Sequence, residues 1–160
     1  MPRKINELTV KEALALAIHL ERSNGRLLQH FAEYLRDRDE LSARQFLELA
    51  EEENHHEEWL TEKFKRRFTG PIPEIYELEV PEAVAAVEWD PSEIKLKQAL
   101  KARNVFQLAL EVENRAKSFY KEAETLETDK FLALLFRQLS SMEDEHAKWL
   151  ELKIREKQPE

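Results

Sequence analysis

Two eight-residue stretches of this chain carry one pattern. Glu53-Asn54-His55-His56-Glu57-Glu58-Trp59-Leu60 and Glu143-Asp144-Glu145-His146-Ala147-Lys148-Trp149-Leu150 both read E-x-x-H-x-x-W-L, 90 residues apart. Each lies in a segment of helical character. Residues three apart on a helix share a face, so each pair presents a carboxylate and an imidazole together. A second echo runs alongside: Ala17-Ile18-His19-Leu20-Glu21 and Ala109-Leu110-Glu111-Val112-Glu113 place a Glu on an apolar face, 92 residues apart. Together the echoes imply a duplicated helix pair.

Only two glycines and six prolines interrupt 160 residues, of which 36% are charged and 42% hydrophobic. Long amphipathic helices fit that mixture, and a turn-rich β-sandwich does not. The length corresponds to one domain over residues 1–160. A net charge of −8 argues against a nucleic-acid partner, whose phosphates need a basic patch. The absence of cysteine excludes disulfides, Fe–S clusters and an Fe(Cys)4 centre carried on this chain. No apolar run approaches the roughly 20 residues of a membrane span. No apolar core of a signal peptide follows Met1-Pro2-Arg3-Lys4, so a cytoplasmic protein is expected.

In chain order, Thr9-Val10-Lys11-Glu12 is a capping box opening a helix over about 9–38. Its stripe is Leu14, Ala17, Ile18, Glu21, Leu28, Phe31 and Leu35, with Glu21 at the centre. Gly25, one turn on, either leaves space beside a site or permits close helix packing. A short polar connection, Asp37 to Leu41, makes the next helix (about 42–67) an antiparallel neighbour, with Ser42-Ala43-Arg44-Gln45 as its capping box. Two registers of E-x-x-H compete on it. At 100° per residue, Glu53 and His56 lie nearer the stripe of Phe46, Ala50 and Leu60 than Glu52 and His55 do, and are preferred. A crossover over about 68–103, rich in proline at its start, contains a short helix from Ser92 to Lys101. Asn104 caps a third helix (about 104–126) with Val105, Ala109, Val112, Glu113, Ala116, Tyr120 and Ala123 inward. Thr128 or Asp129 caps a fourth (about 129–156), whose stripe includes Leu139, Glu143, His146 and Leu150.

Two helices giving one Glu each and two giving Glu-x-x-His form the ligand set of a di-iron carboxylate four-helix bundle. An unpaired buried carboxylate is costly, so four such stripe centres call for cations. Four carboxylates balance two divalent ions. Carboxylate and imidazole ligands without thiolate suit two Fe ions, with Mn or a mixed Fe/Mn pair as alternatives, and argue against structural zinc.

On these residues the chain resembles the ferritin-like superfamily, and within it the rubrerythrin-type proteins, from about Thr9 to Ile154. Phe31-Ala32, ten residues after Glu21, is similar to the rubrerythrin first helix. Glu113 with Phe119-Tyr120 is similar to the third helix, and Glu143-Asp144-Glu145-His146-Ala147 to the E-x-E-H-A of many members. The resemblance implies an all-α, ferritin-like antiparallel four-helix bundle, two helix pairs joined by a long crossover. It implies metal ligands Glu21, Glu53, His56, Glu113, Glu143 and His146, with Glu53 and Glu113 bridging. Tyr120 would touch a ligand rather than a metal, or be a plain core aromatic. Three features depart from the family pattern: no rubredoxin domain lies in this chain, Leu110 and Ala116 stand where an extra glutamate is expected, and Leu28 replaces a tyrosine.

The implied function is a di-iron oxidoreductase acting through those ligands on hydrogen peroxide or dioxygen, with electrons from an external donor such as a rubredoxin-like protein or reductase. The alternatives are a ferroxidase feeding an iron store, and a non-catalytic metal-binding bundle. Only 14 residues follow His146, which leaves no fifth helix to line a cage channel. A homodimer is expected, with exchange of helix pairs between chains as a variant; Trp59 and Trp149 serve helix packing or that interface.

Overall fold

Thr9 stops its own backbone in the extended region and turns its hydroxyl onto the amide of Glu12, while the Glu12 side chain accepts from the Thr9 amide. The capping box read from the sequence is therefore present. In this computed structural model, which describes residues 2–80 and 102–156 (side chains from 105 in the second span), the helix it opens is α1, Val10–Leu35. The chain then runs through α2 (Glu40–Arg67), α3 (Ala102–Leu126) and α4 (Lys130–Glu156). Short 3-10 turns at Ile5–Glu7 and Ile75–Leu78 flank the first pair. α1 packs along α2, and α3 along α4, so the architecture is the all-α, ferritin-like four-helix bundle expected.

Several boundaries differ from expectation, each for a local reason. α1 stops at Leu35, because the amides of Arg38 and Asp39 both turn back onto the Leu35 carbonyl. Asp39, not Ser42, caps α2: its carboxylate accepts from the Ser42 amide at 3.1 Å and the Ser42 hydroxyl at 2.5 Å. A carboxylate at a helix N-terminus meets both a free amide and the positive end of the dipole. Asn104 lies inside α3, which begins at Ala102. At α4 the choice between Thr128 and Asp129 falls to Asp129, which accepts from the Leu132 amide at 3.0 Å. The short helix expected at Ser92–Lys101 lies outside the described residues.

The core comes in two apolar blocks with a polar layer between them. Along α1, Ala13–Leu20 belongs to one block and Leu27–Leu35 to the other, and Glu21 falls between. The same order, reversed, holds along α2: Ala43–Ala50, then Glu53, then Leu60 and Phe64. α3 places Glu113 between Val105–Val112 and Ala116–Ala123, and α4 places Glu143 between Leu132–Leu139 and Leu150. Phe31, Phe46 and Phe106 pack edge-on and tilted through one block, with ring centres 6.0 and 4.9 Å apart, and Tyr120 stacks on Phe136 in the other. Each such side chain contributes about 1.5–3 kcal/mol on burial, and that sum holds the layer between them closed to water.

α1 is buried on more than one side. Ala13 through Glu21 are all inaccessible or nearly so, because Ile5, Leu8, Ile75, Leu78 and Val80 join the same apolar block and add to what the neighbouring helices cover. Arg3 fastens this cover: its guanidinium donates to the Leu78 carbonyl at 2.8 and 3.0 Å and pairs with Glu12. The His19 ring meets the Pro73 carbonyl at 2.8 Å. Gly25 serves close packing rather than an open space. A Cβ there would lie 2.8 Å from Asn54 Oδ1 and 3.5 Å from the Glu53 Cβ. Trp59 and Trp149 are half-buried, each with a lysine one turn later (Lys63, Lys153) over its ring at 4.7 and 5.6 Å.

Candidate metal centre

Each helix delivers its carboxylate to the polar layer. Glu21, Glu53, Glu113 and Glu143 are all completely buried; His146 is buried and His56 is 15% exposed. The register question on α2 is thereby settled, since the side chains of Glu52 and His55 are 57% and 65% exposed. The side chains that the sequence singled out converge in two groups: Glu21, Glu53, His56 and Glu143; and Glu53, Glu113, Glu143 and His146. Within each group, one ligand-type atom per residue lies within 4.8 Å of all the others.

Both rings present Nδ1 to the carboxylates. His56 Nδ1 is 3.5 Å from Glu21, 3.6 Å from Glu53 and 3.7 Å from Glu143. His146 Nδ1 is 2.9 Å from Glu53, 3.6 Å from Glu113 and 3.7 Å from Glu143. The rings are nearly parallel, 11° apart, with centroids 6.0 Å apart. The residues common to both groups are Glu53 and Glu143, the two glutamates of the E-x-x-H pairs. The resemblance implied Glu53 and Glu113 as bridging ligands; of the four carboxylates, Glu113 lies in one group alone and Glu21 in the other alone. The pseudo-symmetry of the duplication explains this: the paired helices supply the shared carboxylates, and the single-Glu helices supply the flanking ones.

The electrostatics of this layer are those of a site built for cations. Burial, reinforced by the charge of Glu143, pushes the carboxyls of Glu21, Glu53 and Glu113 up, the last two well above the ordinary range. Burial also works against Glu143, but Glu113, His146 and His56 together hold it below the usual carboxylate range. Burial disfavours a charged His56, yet Glu143, Glu21 and Glu53 push it up to about 12. His146 moves the same way against the same burial, driven by Glu113, Glu143 and Glu53. In the metal-free layer, protons on these groups offset the buried charge.

The fit to metal rests on what these atoms lack. Seven carboxylate oxygens (Glu21 Oε2 and both oxygens of Glu53, Glu113 and Glu143) and the Nδ1 atoms of His56 and His146 are buried without a hydrogen-bond partner. Even the 2.9 Å approach of His146 Nδ1 to Glu53 lacks hydrogen-bond geometry. Buried polar atoms are normally satisfied, because each orphan costs about 1–3 kcal/mol and a charged one more. Nine orphaned atoms converge on one layer, their lone pairs open to a common occupant once cations displace the protons, and oxygen-rich donors with two imidazoles suit Fe(II) or Mn(II).

Two residues complete the surroundings. Tyr120, fully buried, donates to Glu21 Oε1 at 3.0 Å; burial and the neighbouring Glu21 keep its hydroxyl protonated far above its ordinary range. It therefore touches a carboxylate of the layer. Glu52, set aside as a ligand, is placed unexpectedly: its Oε2 accepts from His146 Nε2 at 2.5 Å, across from α2 to α4. Periodicity put Glu52 at the edge of the inward stripe, and that edge position was the only sequence signal for the contact.

No helix among the described residues is long and apolar enough to cross a membrane. No curated protein and no solved structure matches the chain significantly. The family model described as Rubrerythrin matches residues 12–147, a span that holds all four helices' glutamates and both histidines. With that match and the buried Glu/His layer in hand, the chain belongs to the rubrerythrin family of ferritin-like proteins.

Proposed function

We propose that the six residues of the buried layer bind two iron ions, and that the chain reduces hydrogen peroxide or dioxygen with electrons from a separate donor. The observation that carries this reading is the set of nine orphaned donor atoms on four fully buried carboxylates and two imidazoles. Glu21 and His56 would hold one ion, Glu113 and His146 the other, and Glu53 and Glu143 would serve both. A scaffold without metal gains nothing from burying such a layer and loses stability by it.

Two ferrous ions held side by side would supply one electron each, matching the two-electron reduction of a peroxide. The chain's own residues set the conditions. The apolar blocks on either side exclude water from the layer, which strengthens every electrostatic interaction within it. Tyr120 fixes Glu21 Oε1 by donating its proton and leaves Oε2 free toward the layer. His56, partly exposed, is the member of the layer most open to solvent. The given sequence has no cysteine for a one-electron centre, which supports electrons arriving from a separate donor.

Anaerobic titration of metal-free protein with Fe(II), followed by one equivalent of hydrogen peroxide, tests the proposal through the near-ultraviolet absorbance. Saturation at two irons per chain with a fast response to peroxide supports it. A fast response to dioxygen alone, with iron retained in a large particle on size exclusion, moves the assignment to a ferroxidase of the storage type. Failure to bind iron stoichiometrically overturns it.

A further inference from the structure

Resting on the metal reading above, we infer that Glu52 is a positioning residue for His146, and that it makes the two metal positions unequal. The geometry is direct. His146 turns Nδ1 inward to Glu53, Glu113 and Glu143 and Nε2 outward to Glu52 at 2.5 Å. An imidazole whose Nε2–H is donated to a carboxylate keeps its Nδ1 lone pair for a metal, and its ring cannot turn without losing that bond. Carboxylates behind a ligating histidine also raise its basicity, and removing one costs about tenfold to a hundredfold in metal affinity.

The duplication shows that this device is used once. Glu52 precedes Glu53 on α2; the residue preceding Glu143 on α4 is Met142, half-buried against an apolar block. Among the described residues, His56 makes its close acid contacts through Nδ1 alone, to Glu21, Glu53 and Glu143, and no carboxylate pairs with its Nε2. One imidazole is thus locked in tautomer and orientation, and the other is held by packing. The position served by His146 and Glu113 fills first, and the position served by His56 and Glu21 is the weaker and more exchangeable one. Glu52 is itself 57% exposed, so its bond to a buried ring is the point where the locked side of the layer meets solvent.

The test is a Co(II) titration of metal-free wild type, Glu52→Ala, Glu52→Gln and, as a control on the same exposed surface, Glu51→Ala. Wild type is expected to bind two ions in separable steps. Glu52→Ala weakens the tighter step by about tenfold or more and leaves the weaker step unchanged. Glu52→Gln, which keeps an acceptor for Nε2–H, restores part of the loss, and Glu51→Ala changes neither step. In the Co(II) protein the exchangeable Nε2–H resonance of His146, shifted far downfield by the metal, broadens into solvent exchange in Glu52→Ala alone. Two steps in Glu52→Ala indistinguishable from wild type overturn the inference, as does equal weakening of both steps with retained helicity. Wild type that binds no Co(II) sinks the metal reading itself and this inference with it; wild type that binds two ions, with an indifferent Glu52→Ala, sinks this inference alone.

Discussion

Glu53 is the residue whose replacement separates the two roles of the polar layer, and Glu53→Gln is expected to change stability in opposite directions with and without metal. In the metal-free protein Glu53 is fully buried, both its oxygens lack hydrogen bonds, and burial together with Glu143 and Glu21 pushes its carboxyl well up. Removing one member of a buried ion pair commonly costs about 3–5 kcal/mol, because the partner charge is stranded. No cation is stranded here. The raised carboxyl has to be held protonated at neutral pH, which the unfolded chain does not require, and glutamine is neutral without that cost. A carboxyl whose native pKa stands one or two above its unfolded one costs the native state about 1–3 kcal/mol at a pH above both. Taking about 2 kcal/mol, a chain of this size gains roughly 4–8 °C in Tm. With metal the sign reverses. At a concentration one hundred times its Kd, each ion adds about 2.7 kcal/mol to the native state. Glu53 belongs to both candidate groups, so its loss weakens both ions, and the variant forfeits up to about 5 kcal/mol of that support. Far-ultraviolet circular dichroism melts at pH 7.5, in chelator and then in excess Co(II), measure both arms. A Glu53→Gln protein that melts below wild type in chelator would refute the reasoning from the raised carboxyl. One that gains as much from Co(II) as wild type would refute the shared-ligand assignment.

Three further outcomes are expected. Metal-free protein loses stability as pH rises. The raised carboxyls of Glu53 and Glu113 let the native state hold protons that the unfolded chain releases near 4.5. The stabilisation from His56, full below 6.5, is lost as pH climbs toward about 12. Glu143 works the other way, but its contribution is complete above 4.5, so the Tm in chelator falls from about pH 5 to 9, and a flat or rising profile would contradict the shifts. Tyr120→Phe removes the hydroxyl bonded to Glu21 Oε1 and leaves a tenth orphan among the described residues, costing about 1–3 kcal/mol in chelator; an unchanged melting point would show the bond to be incidental. Gly25→Ala gains up to about 1 kcal/mol of helix propensity and displaces only the flexible end of Asn54, so the Tm rises slightly, whereas a drop would mean that the Asn54 amide is fixed in place.

What the sequence disclosed and what it hid divide along a physical line. The register on α2 was legible because 100° per residue separates Glu53 from Glu52 on the helix, and the apolar neighbours say which of them faces in. Thr9 was legible as a cap because the whole device spans four residues. Asp39 was missed in favour of Ser42 because both are good caps, and only the turn that brings two amides back to Leu35 decides between them. The cover over α1 joins Arg3 to Leu78 and His19 to Pro73, contacts that no local period records. One signal was nonetheless there. Ala13-Leu14-Ala15-Leu16-Ala17-Ile18 is apolar on every face, and a helix apolar all round must be buried all round.

The shared pair of carboxylates yields to a similar argument. Once the chain is known to be duplicated, any residue held in common by two symmetric positions must come with its own symmetric copy. Glu53 and Glu143 are copies of one another, as are Glu21 and Glu113. A bridge made of Glu53 and Glu113 pairs one member from each set and breaks the symmetry that the sequence itself displays. The observed grouping, Glu53 with Glu143, keeps it. By the same logic, every place where the copies differ is a place where the two halves of the layer have separate work. Glu52 against Met142 is such a place, and it lies directly behind a histidine of the layer.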